Sequence, residues 1–128
     1  MREIKFRGKD KENKNWVYGF AIIVQETAII CSWDAETENM LYDFVVPETV
    51  GQYTGVKDKD GTEIYEGDII SVSEDKKNGE VIYNSAHCGY IVTGKAWACG
   101  CARLGQLCTL FIRVIGNAHK NPELLEVV

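Results

Sequence analysis

The chain has 128 residues, of which 45% are apolar, and a formal net charge of −5. That length suits one domain, or two small lobes sharing a core, and the composition is rich enough to bury one. The acidic balance argues against a dedicated duplex-DNA binder, which carries a basic footprint. The longest apolar run, Phe20 to Val24, is far too short to span a membrane. The start is polar and charged from Arg2 onward, with no signal-peptide pattern, and the five cysteines are an odd number. Reduced thiols in a cytoplasm are the expectation.

In chain order, Ile4, Phe6 and Gly8 alternate with Lys5, Arg7 and Lys9, a period-two strand that is apolar on one face and basic on the other. The basic residues read as a solvated edge, because charge discourages edge-to-edge pairing. Asp10 to Asn15 is a polar loop. Trp16, Tyr18 and Phe20 then share one strand face. Large aromatics in so small a β-domain are expected inside, since each removes about 150–250 Å² from water. Ala28 to Cys31 is a third strand, Asp34 to Asn39 an exposed acidic loop, and Met40 to Val46 a fourth strand that Pro47 ends. Together these predict an antiparallel meander over about residues 1–50.

Val50 to Val72 holds the densest turn chemistry. Asp60-Gly61 and Glu66-Gly67 read as tight reversals between short strands, because aspartate tolerates left-handed backbone and glycine takes it freely. Asp75 to Gly79 predicts a third turn, its Asn78-Gly79 suited to a hairpin, followed by a strand from Glu80 to Tyr83. Gly89 to Thr93 and Cys108 to Gly116 read as closing strands. Between them, Gly94 to Leu107 reads as a long loop or one irregular helical turn. Asn121-Pro122-Glu123 starts a last helical turn, pinned by Leu124 and Leu125. The fold class expected is mainly β: the meander, a small SH3-like or partly open barrel over about 51–116, and a tail over 117–128.

The stretch VGQYTGVKDKDGTEIYEGDII resembles the signature of YopX-like proteins. Ile4 to Lys9 with Trp16 to Gly19 is similar to that family's opening, and Val114 to Asn117 with Asn121 to Leu125 to its close. The resemblance implies a β-rich, barrel-containing fold and an accessory role in bacteriophages and prophages. It supplies no catalytic residues.

Three kinds of chemistry are open to these residues. A calcium loop through Asp58, Asp60, Glu63, Glu66 and Asp68 is excluded, because an EF-hand glycine at Gly61 would demand an acid at Val56 and a glutamate at Gly67. These acids read as turn-formers on a solvated hairpin, with Asp68 capping a backbone N–H. Zinc could draw on His87, Cys88, Cys99, Cys101 and Cys108, but the usual C-x₂-C knuckle is absent. A nucleophilic pair would join Cys88, Cys99 or Cys101 to His119. Lys5, Arg7 and Lys9 beside Trp16 and Tyr18 offer a stacking platform for single-stranded nucleic acid. The leading expectation is a non-enzymatic binding module without a cofactor, a homo-oligomer or a partner of a phage or host protein. The alternatives are a single-stranded nucleic-acid binder and a metal- or Cys/His-dependent enzyme.

Overall fold

A computed structural model describes residues 3–72, 77–94, 101–107 and 111–125. It is mainly antiparallel β with almost no helix, as the turn spacing predicted. The chain divides into two units, Met1–Tyr53 and Thr54–Val128.

In the first unit, β1 (Phe6–Lys9), β2 (Trp16–Val24), β3 (Thr27–Asp34) and β4 (Asn39–Val45) form a meander, and β1 also pairs with the start of β5 (Gly51–Lys57). β1 is therefore an interior strand, which corrects the edge reading of its basic residues. Beyond β1 the sheet curls back on itself. Asp10 bridges Val45, Lys11 N–H donates to the Phe44 carbonyl, and Val46 N–H donates to that of Lys9. Ala28, Ile30 and Val45 are fully buried inside the curl, with Phe6, Val17, Ala21 and Val50 packed against them. Burying each larger side chain contributes about 1.5–3 kcal/mol. Gly19 is required where β2 passes β3: a Cβ there would lie 2.0 Å from the Cys31 carbonyl oxygen. Pro47 ends β4, as expected, and opens a 3₁₀ turn over Pro47–Thr49. That turn is fastened to β1, where Lys9 N–H donates to Thr49 Oγ1.

In the second unit, β7 (Asp68–Val72), β8 (Lys77–Asn84), β9 (Gly89–Thr93), β10 (Cys101–Arg103) and β11 (Ile112–Asn117) form a sheet in the order β10-β9-β8-β7-β11. β6 (Glu63–Tyr65) lies beside the second half of β5, with Thr54 Oγ1 donating to the Ile64 carbonyl. Ile64, Ile70, Val81, Val92, Leu104 and Ile112 form the core. Gly61 and Gly67 both adopt positive φ, as the Asp-Gly and Glu-Gly reversals require.

Two expectations are corrected here. Of the third turn, expected over Asp75 to Gly79, Asp75 and Lys76 lie outside the described residues, and Asn78 and Gly79 lie within β8, paired with Ser71 and Ile70. The Asn78 side chain donates to the Leu124 carbonyl, so a polar residue that looked like a turn-former anchors the C-terminal turn. The stretch Gly94 to Leu107, expected to be a long loop or one irregular helical turn, contains strand β10, which was not expected, and a 3₁₀ turn over Leu104–Gln106 whose first side chain is fully buried. The final turn, Pro122–Leu125, is 3₁₀. Gly116 leaves room for Leu124, whose Cδ1 would stand 2.7 Å from a Cβ at that position.

Candidate functional site

The most distinctive surface lies on the outer side of β2, β3 and β4. The register sets Phe20 opposite Cys31 and Cys31 opposite Tyr42, then Ile22 opposite Ile29 and Ile29 opposite Phe44. Trp33 stands opposite Met40. Directly paired residues share a face, and alternation adds Tyr18 and Val24 to it. None of these side chains is charged. Phe20 and Tyr42 are each 63% exposed and Trp33 is 61% exposed, while Cys31 between them is buried. The exposed aromatic stripe overturns the expectation that Tyr18 and Phe20 would point inward. The interior of this unit is filled by small and aliphatic residues on the opposite parity, so no room is left there for them.

The face has a cationic margin. The Arg7 guanidinium sits 4.2 Å from the Trp16 ring centroid and the Lys9 ammonium 5.3 Å from it. Lys5 Nζ lies 5.5 Å from the ring of Tyr53 and 3.7 Å from Glu3 Oε1. Cation–π contacts of this kind contribute about 0.5–2 kcal/mol, more when desolvated. Arg7 is only 7% exposed, so it serves the fold of this margin and is not a solvated charge. Lys5, Arg7, Lys9, Trp16 and Tyr18, named together from the sequence, do lie at one end of the face. The rows across β3 and β4 were missed. Their signal was present in FAIIV, which is apolar at both strand parities, and in MLYDFV, which is so apart from Asp43.

The cysteine and histidine positions are less convergent. Cys99 and Cys108 lie outside the described residues, as does the side chain of Cys101. His87 and Cys88 occupy the β8–β9 turn, not a strand. His87 Nδ1 is 3.0 Å from Asn84 Oδ1, and the exposed Cys88 thiol donates to the Ser85 carbonyl. Both border an open polar cavity of about 330 Å³ with Tyr90 and Arg103. His119 belongs to another corner, beside Gly67 and Asn117. Among the described residues, no group of three or more His, Cys, Asp or Glu side chains could hold a metal ion. No described helix is long and apolar enough to cross a membrane.

Two carboxylates stand in unusual surroundings. Asp58 is buried rather than solvated. Burial pushes its pKa up, but its oxygens accept from the N–H groups of Val114, Thr62 and Asp60, with Arg113 nearby, and the balance holds it below 3.8. Burial pushes the pKa of Glu80 up, and the charge of His119 only partly opposes this. Asp68, expected to cap a backbone N–H, does so: its Oδ2 accepts from Tyr65 N–H at 2.8 Å.

Comparison with known proteins gives a family and a fold. The chain is similar along 98% of its length to all of protein EF1440 from Enterococcus faecalis, known as a crystal structure, with 25% identity and a TM-score of 0.62. It is similar over its whole length to 99% of protein yopX from Bacillus subtilis, with 20% identity and a TM-score of 0.55; this second likeness shows the fold alone. No curated protein matches it. The model of the YopX protein family matches residues 5–126, and the chain therefore belongs to the YopX family.

Proposed function

We propose that this chain is a non-enzymatic interaction module, an accessory protein of phage or prophage type acting in the bacterial cytoplasm, that binds a macromolecule through the outer face of β2, β3 and β4. One observation carries this reading: a contiguous apolar face, without charge, exposed across three strands. Single exposed apolar residues are ordinary, but a joined patch of this size marks an interaction site. The phage role is what the YopX resemblance implies, and the free thiols of Cys31 and Cys88 suit a reducing compartment. A photo-crosslinking residue placed at Tyr42 in producing cells tests the reading. Discrete adducts at Tyr42, and none at the exposed Lys120 in the same chain, are expected. Equal labelling at both positions, or none at Tyr42, overturns it.

A second reading is favoured by the cationic margin. Tyr18 and Phe20 reach solvent on the strand that carries Trp16, over which Lys9 lies, an arrangement on which unpaired bases could stack. It ranks lower because Arg7 is buried and the strips over β3 and β4 carry no cation. Oligonucleotide binding that weakens with added salt, and is lost in Lys9→Glu, is the expected signature. An anisotropy titration that stays flat at low salt removes it.

A further inference from the structure

We propose that the occupant of the β2–β3–β4 outer face is a second copy of this chain, packed sheet on sheet about a two-fold axis. This rests on the interaction-module reading and names the partner.

The first argument is electrostatic. In a two-fold contact one patch meets itself, so a charge near its centre would face its own copy. Like charges brought together in a desolvated contact are costly, and a self-complementary patch is therefore best built without them. The rows Phe20–Cys31–Tyr42 and Ile22–Ile29–Phe44 meet that condition. Of the acids of this region, Glu26, Asp34, Glu36 and Glu38 are held at or beyond the strand ends, where a rim would be, and Asp43, inside β4, pairs with Ile30 and so takes the opposite parity. A partner of different sequence imposes no such rule, and its interface would be expected to hold fixed charges that select it.

The second argument is area. Eight side chains on this face, from Tyr18 to Phe44, are 40–63% exposed. With aromatic and large aliphatic residues near 200 Å² each, they offer roughly 800 Å² of surface, which is about what one partner contributes to a stable protein–protein interface. The third is shape. Sheets stack face to face about 10 Å apart with strands within about 30° of each other, their side chains interlocking. Alternating large rows and the small, recessed Cys31 give this face ridges and a hollow for such a fit.

Analytical ultracentrifugation of the full chain, from nanomolar to about 100 μM, tests the proposal. A reversible rise from the chain mass to twice that mass is expected. Tyr42→Glu and Phe20→Lys should each weaken association at least 30-fold, since a buried aromatic anchor is lost on both copies. A mixture of the two variants should recover a dimer, because opposite charges then meet. Should either charged variant lose its circular dichroism signature, Tyr42→Ser and Phe20→Ser take their place. A protein that stays monomeric throughout overturns the proposal, as does a dimer that these variants leave intact. The crosslinker at Tyr42 separates the two levels. Adducts of twice the chain mass support the second copy, adducts of any other mass refute it while leaving the interaction-module reading standing, and no adduct refutes both.

Discussion

In Thr54–Val128 six aliphatic side chains from five strands and a 3₁₀ turn close into one fully buried core. Among the described residues of Met1–Tyr53 the corresponding buried cluster is Ala28, Ile30 and Val45, and Tyr18, Phe20, Trp33, Tyr42 and Phe44 of the meander are exposed. Both units alternate along their strands, and both are held by antiparallel ladders. They differ in what the second parity carries. Across β2, β3 and β4 it is aromatic and aliphatic without charge, so folding of this unit uses one face of the sheet and leaves another apolar face exposed. An apolar strand pattern therefore does not by itself report burial within the chain.

The sharpest break in that comparison comes at Gly19. Gly19→Ala sets a Cβ against the Cys31 carbonyl, a backbone atom that cannot swing aside. A loss of about 3 kcal/mol or more is expected, with hydrogen exchange rising first in β2 and β3. Equal loss of protection over β7 and β8 would mean that the units unfold as one. Next in size, Ile64→Ala in the second core should cost about 2–5 kcal/mol in chemical denaturation. Phe44→Ser on the outer face should change the stability of the dilute monomer by no more than about 0.5 kcal/mol. A large loss for Phe44→Ser would show that this side chain belongs to the fold of its own unit.

Asp58→Asn removes a charged acceptor from buried N–H groups and should cost about 1–3 kcal/mol. The folded pKa of Asp58 is lowered, so its contribution is complete above about pH 4 and is lost as pH falls from there through the folded value. The Asn variant should lack that part of the acid limb in a denaturation series run from pH 6 to pH 2. A gain and not a loss is expected at Gln25, which holds φ 56° in the β2–β3 turn. Gln25→Gly should raise stability by about 1 kcal/mol, by removing the left-handed strain of a residue with a Cβ. Thermal melts that do not move upward would place compensating contacts on that side chain.

Much of the fold was legible because turn chemistry is local. The reversals at Gly61 and Gly67 depend on a few adjacent residues, and both positions have positive φ. The end of β4 at Pro47 follows from a missing N–H. Asn78-Gly79 misled because the same two residues suit a turn and a strand, and their pairing with Ser71 and Ile70 decides which forms. The candidate surface was legible only at its margin. Alternation says that Trp16, Tyr18 and Phe20 share a face, but it does not say which face is covered. That depends on the bulk of the opposite parity, where Ala21, Ala28 and Ile30 already fill the interior. Asp58 was misread for a related reason. Its sequence context is that of a solvated turn, while its third donor, Val114 N–H, comes from a strand 56 residues away.

That last contact changes what the 58–62 reversal is good for. Hairpin tips in small β proteins are the usual places to splice in a tag or an epitope, because little else touches them. This one is moored to β11 three times over: Val114 N–H on the Asp58 carboxylate, Lys59 N–H on the Ile112 carbonyl, and Arg113 Nε on Asp60. Lengthening it would cast off a whole strand, and the tip joining β3 to β4, where Asp34 accepts from Glu36 N–H and Thr37 Oγ1 and Asn39 donates to the Thr37 carbonyl, is the berth that an engineer should choose.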